Sequence, residues 1–252
     1  MKKYFEQAYV LTLANLKTRY RNTSLGFLWV LLNPILIYGA QSYAFGMILR
    51  LDVSHYNLFL VTGLIPWIFI TQSIDMTTSS ILVSAPILKS LPIHPVVIVI
   101  ASVLDNFVNF TAAFLILLVP LYLNSGFNWV NLIFYPIPFV LLTVAVCCLG
   151  FLLAMLQVFY RDSRYVVSLF LSISFFITPL FYPIKFVPEN LRWVVNCNLL
   201  YYFIRPFRFI FEDDLTVFWS DAGFALLADI LLVVISVYLW KKFRSTLYFR
   251  IG

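Results

Sequence analysis

LKTRYRNTSLGFLWVLLNPILIYG, Leu16 to Gly39, sets three cations within five residues and then turns almost wholly apolar. Lys17, Arg19 and Arg21 stand directly in front of a stretch that water rejects. The anionic face of a membrane holds such cations by about 1 kcal/mol each, while the chain from Phe27 onward enters hydrocarbon. The stretch therefore marks a chain leaving the cytoplasmic surface for its first crossing.

The rest of the sequence repeats that theme. Of 252 residues, 62% are hydrophobic and 11% charged, with a mean hydropathy of +0.94, against roughly 25% charged residues in a soluble domain. Residues 1–252 read as one all-α polytopic membrane domain. A hydrocarbon core about 30 Å thick takes about 20 helical residues to cross. Six apolar segments are long enough or nearly so: Phe27 to Leu49, Leu58 to Val83, Val96 to Leu123, Trp129 to Phe159, Tyr165 to Tyr182 and Ala222 to Trp240. The N-terminus has two lysines but no short apolar core with a cleavage site, so the first span is expected to direct insertion.

Charge sets the orientation. With both termini cytoplasmic, 12 of the 17 Lys and Arg residues lie inside, and Asp52, Glu189, Glu212, Asp213, Asp214 and Asp221 lie outside. The net charge of +6 comes from cations at segment ends rather than one continuous face, so nucleic acid is not an expected partner. Three cysteines make no paired framework, and no His or Cys cluster has metal-ligand spacing. His94 reads as a loop residue.

Several features exceed a plain bundle. Residues 1–25 read as a cytoplasmic interface helix followed by the basic segment, or as an extension of the first span. SAPILKSLPIHP, Ser84 to Pro95, fences the turn Ile87 to Leu91 with Pro86, Pro92 and Pro95. It makes a stiff apolar knob suited to docking. Residues 183–220 contain CNLLYYFIRPFRFIF, only 15 residues long with Arg205 and Arg208 around Pro206, too short to cross. They read as short helices that enter the outer leaflet and return, or as an interfacial amphipathic helix. Asp75, Asp105 and Asp229 fall within spans, at about 2.5 to 3.5 kcal/mol each near a helix centre, and must face protein or water. They suit a proton or ion relay, or structural interhelical hydrogen bonds.

Polar and aromatic residues share helical stripes on two spans: Tyr38, Gln41, Ser42 and Phe45 on the first, Ser168, Ser172, Phe175 and Phe176 on the fifth. They fit a pathway for a hydroxyl-rich molecule, or ordinary helix packing. No G-x-x-x-x-G-K-[ST] loop is present to cradle ATP phosphates, and no hydrolase or metalloprotease motif.

The stretches LKTRYRNTSLGFLWVLLNP, VFYRDSRYVVSLFLSISFFITPLFYP and LLYYFIRPFRFIF resemble the membrane subunit of bacterial polysaccharide ABC exporters, which move O antigen, capsule or teichoic acid chains. The resemblance covers essentially the whole chain. It implies a non-enzymatic permease in the bacterial inner membrane, half of a homodimeric channel with a cytoplasmic interface helix, six spans and two short re-entrant helices. No cofactor is expected in the chain itself. Two copies of a cytoplasmic ABC ATPase subunit, holding ATP and Mg, would dock beneath, with Ile87, Leu88, Lys89 and Leu91 as the coupling helix.

The cargo implied is a polyprenyl-diphosphate-linked glycan, O antigen first. Arg19, Tyr20 and Arg21 would meet its diphosphate, with Arg161 and Arg164 as further candidates. Tyr38, Gln41, Ser42, Phe45, Ser168, Ser172, Phe175 and Phe176 would line the channel. Tyr201, Tyr202, Arg205, Pro206 and Arg208 would form the outer gate. The alternatives are an exporter of the same fold for a small lipid or drug, and an intramembrane glycosyl or phosphoglycosyl transferase.

Overall fold

A computed structural model describes residues 2–20, 28–49, 55–123, 129–209 and 215–251, and every regular element among them is helical. The axis of the bundle is α3 (Tyr56–Val83), buried almost continuously from Leu58 to Ile70. Against it pack α5 (Pro95–Leu123) and α6 (Pro136–Phe159). Thr77 and Thr78 bury hydroxyls in this helix, and each donates to a carbonyl one turn back, Ser73 at 2.7 Å and Ile74 at 2.6 Å. The hydroxyls thereby satisfy themselves without water.

Aromatic rings fill the interior. Phe110 of α5 stacks on Phe69 of α3 and on Phe139 of α6, both with centroids 4.7 Å apart, and Phe207 closes the cluster edge-on. Such offset and T-shaped pairs add about 0.5–1.5 kcal/mol each beyond their buried area. At Gly150 α6 comes so near α3 that an added Cβ would lie 2.5 Å from Thr77 Oγ1.

Among the described residues, four stretches are long and apolar enough to cross a membrane: α3, α5, Asn131–Phe159 ending in α6, and Leu215–Arg250. The expected first span is a helix, α2 (Leu28–Leu49), of 22 residues. The fifth is shorter than expected. Its helix, α7 (Ser163–Ile177), has 15 residues and stops at Thr178, whose extended backbone leads into Pro179, so Tyr182 lies beyond it. At 1.5 Å per residue α7 is about 22 Å long.

The last helix, α10 (Leu215–Ile251), runs well past the expected end at Trp240. Lys241 and Lys242 end the hydrocarbon signal, not the helix: the next turns bury Leu247 completely against Ile81, Val99 and Phe151. Arg250 then caps this contact by donating to the Phe159 carbonyl at 3.0 Å.

The N-terminal α1 (Lys2–Tyr20) is helical, as its sequence predicts, and runs beside the first half of α5 in the same sense. Tyr4 meets His94, Thr12 lies beside Ala101, and Arg19 reaches Asp105. The small buried residues Ala8 and Thr12 allow the approach. Phe5, Tyr9 and Leu13 remain exposed on the other side.

The proline-fenced knob is α4 (Ala85–Ser90), as its spacing predicts. Between α7 and α10 the chain breaks into short pieces, including α8 (Arg192–Asn196), α9 (Leu199–Ile204) and a 3-10 turn, Arg205–Arg208. Short helices were expected here, and their interior role is new. Phe203, Ile204 and Phe207 are fully inside the main core.

Arg208 ties this segment down. Its guanidinium donates to the Pro179 carbonyl at 2.6 Å and lies 4.1 Å over the Phe59 ring, where Gly63 leaves it room.

Candidate functional site

One face of α3 carries a groove made of three joined clefts. The first, about 230 Å³, lies by α4 and is lined by Leu11, Asn15, Ser80, Val83 and Ile87. Met76 and Ser79 are shared with the second, about 520 Å³, which adds Arg19, Trp29, Asn33, Gln72, Asn106 and Asn109. Asp75 and Arg164 are shared with the third, about 400 Å³, where Trp67, Thr71 and Thr78 face Ser168, Ser172, Phe175 and Phe176. From Val83 to Trp67 the groove follows about 24 Å of helix.

The floor is α3 because its second half is the most polar stretch of any span: TQSIDMTTSS, Thr71 to Ser80. Residues 67, 71, 75 and 78 fall on one helical face, and 72, 76, 79 and 83 on the next, so two adjoining stripes line successive clefts.

Four charged side chains organise the middle cleft. Arg19 Nη2 approaches Asp105 at 2.7 Å, and Nη1 donates to Asn106 Oδ1 at 3.0 Å. Asp105 is fully buried. Met76 Sδ accepts from Arg19 at 2.9 Å, so one side chain joins α1, α5 and α3. The Asp75–Arg164 pair, 3.6 Å apart and about half exposed on both sides, stands between the second and third clefts. Burial of the Arg19 pair makes it strong only while both partners stay; the exposed pair is worth at most about 1 kcal/mol.

The expected site residues divide into groups. Ser168, Ser172, Phe175 and Phe176 do come together, in the third cleft. Tyr38, Gln41, Ser42 and Phe45 lie elsewhere, where α2 meets the start of α3. There Tyr38 donates to the Asn57 carbonyl and Ser42 to Asn57 Oδ1, each at 3.0 Å. Phe45 stacks on Phe181 at 3.8 Å, and Phe181 touches Phe175 at 5.0 Å, so a chain of rings links the two stripes.

Arg164 lines the groove and Arg161 is exposed on the turn before α7. Arg19 lines it too, but is already ion-paired. Arg21 and the side chain of Tyr20 lie outside the described residues. Ile87, Lys89 and Leu91 are exposed on and after α4, while Leu88 packs toward the core. Tyr201, Pro206 and Arg208 are buried as packing, Tyr202 is half-buried, and Arg205 pairs with Asp221 at 3.1 Å.

Sequence reasoning did not single out Trp29, Asn33, Trp67, Gln72, Met76 or Ser79 as site residues. The signal is the polar run Thr71 to Ser80, interrupted only by Ile74 and Met76.

Apolar helices of crossing length around a polar groove define a multi-pass membrane protein. The chain belongs to the ABC-2 type transporter family, whose model matches residues 6–211. Its relatives include the O-antigen export system permease protein RfbA of Klebsiella pneumoniae, 26% identical over 245 residues, 95% of this chain and 93% of that one. The RfbA of Myxococcus xanthus is 29% identical over 181 residues, 69% of this chain and 67% of that one. The polysialic acid transport protein KpsM of Escherichia coli is 22% identical over 185 residues, 71% of each.

Proposed function

We propose that this chain is the permease subunit of a polysaccharide ABC exporter that moves a polyprenyl-linked glycan, O antigen first among candidates, across the bacterial inner membrane. The groove along α3 carries the reading: about 24 Å of hydroxyl, amide and aromatic side chains suits a polymer of sugars. The relatives named as O-antigen permeases, matching nearly end to end, support the same cargo.

In this reading α2 and α7 complete six crossings, with both termini cytoplasmic. Two copies form the channel, and two copies of a separate ATPase supply force from ATP and Mg. Its motion enters through the exposed α4 residues Ile87, Lys89 and Leu91, beside which the groove begins. Arg161 and Arg164 meet the lipid diphosphate at the mouth, with Tyr20 and Arg21, next to Arg19 in sequence, as further contacts. The short segments around Tyr202 and Arg205 gate the far end, with Tyr201, Pro206 and Arg208 as their packed base.

A second reading, export of a small lipid, draws on an apolar cleft of about 630 Å³ between α6, α7 and α9, lined by Leu153, Phe170 and Leu200. Reconstitution with its cognate ATPase separates the two. Lipid-linked glycan raising ATP hydrolysis above the level with phospholipid alone supports the first; stimulation by short lipids only supports the second.

A further inference from the structure

The middle cleft lies on the path the glycan would take along α3, and its charges cancel. Arg19 is held by the fully buried Asp105 and Arg164 by Asp75, so two cations face two carboxylates. An arriving diphosphate would have to draw Arg19 from Asp105 and strand a buried carboxylate, which is strongly unfavourable. Amide and hydroxyl groups remain.

Asn109 is the telling residue. It is 8% exposed, lines the cleft, and its Oδ1 has no hydrogen-bond partner. A buried acceptor left unmet is costly, so this one is built to accept from something that enters. Trp29, 46% exposed, offers a flat apolar face on the same cleft. Asn33 and Gln72 carry amides that both donate and accept, as a ring bearing hydroxyls requires.

From this combination we infer that the cleft between α1, α2, α3 and α5 is a subsite for one uncharged sugar unit of the lipid-linked glycan, and not for its diphosphate. The inference rests on the export reading above. Trp29 stacks on the sugar ring, Asn109 Oδ1 accepts from a sugar hydroxyl, and Asn33 and Gln72 orient the unit. The Arg19–Asp105 pair is a positioning element that keeps the wall rigid and electrically neutral. The diphosphate stays outside, with Arg161 and with Arg164, whose exposed pair with Asp75 yields easily.

Binding to the whole purified chain in lipid nanodiscs tests this. The two probes are undecaprenyl diphosphate and the same lipid bearing a short neutral N-acetylglucosamine-headed glycan. Trp29→Ala and Asn109→Leu are each expected to weaken the glycan-bearing probe about tenfold and the bare lipid less than about twofold, while Trp29→Phe retains most of the affinity. Because Trp29 is half exposed, loss of folding at Trp29→Phe is not expected.

If the wild type prefers the glycan-bearing probe but neither variant alters that preference, or both weaken the two probes equally, the subsite is overturned and the export reading stands. If the wild type itself does not distinguish the probes, the subsite is likewise overturned; failure to bind either probe is the result that counts against the export reading.

Discussion

Arg19 joins three helices, and its loss has a definite consequence. Arg19→Ala leaves Asp105 buried without a counter-charge, and a broken buried pair costs about 3–5 kcal/mol. Thermal unfolding in detergent is expected to fall sharply for Arg19→Ala and to recover in large part when Asp105→Asn is added. The exposed pair differs: Asp75→Asn should change stability by less than about 1 kcal/mol. His94 offers a pH test. Its ring lies between Tyr4 and Trp240, and burial lowers its pKa below the usual 6.5. The unfolded chain then binds the proton more readily, so this contribution is present above about pH 6.5 and is lost as pH falls. Thermal stability should drop more steeply between pH 7.5 and pH 5 in the wild type than in His94→Gln.

Helix contacts yield the next expectations. At Gly150 the α3–α6 approach leaves no room for a methyl group. Gly150→Ala should destabilise by about 1–3 kcal/mol, and Thr77→Ala added to it should restore part of the loss, as read by unfolding midpoint. Truncating α10 after Arg244 removes Leu247 and the Arg250 contact with Phe159. Limited proteolysis around α4 should then accelerate, because Ile81 and its neighbours lose their cover.

These contacts also explain what the sequence disclosed. The α4 knob was legible because prolines fix backbone locally, and the apolar segments because hydrocarbon demands them. The end of α10 was not, since two lysines mark a membrane boundary and not a helix boundary. Nor was the packing of α1: an amphipathic face does not name its neighbour, and Ala8 and Thr12 say only that something can come close. Of the groove, the α7 stripe was legible from its serines. Its floor was hidden because Thr71 to Ser80 mixes residues that bond their own helix with residues that face the cleft, and only packing separates them. Arg205 and Arg208 read as exposed cations around a proline, yet one is matched by Asp221 and the other by backbone carbonyls freed where α7 breaks.

For the molecule as a whole, the groove, the α4 knob and the family membership fit a conduit that does no chemistry itself. In the proposed reading, force would enter at α4, beside the first cleft, and the polymer would advance along α3. Cysteine substitutions report the topology: with both ends inside, Lys241→Cys is expected to be labelled only from the cytoplasmic side and Glu189→Cys only from the other. The most direct measurement is transport of lipid-linked glycan into sealed vesicles holding this chain with or without its ATPase. Glycan should appear across the membrane only when ATPase, ATP and Mg are all present. Transport by this chain alone would contradict the account.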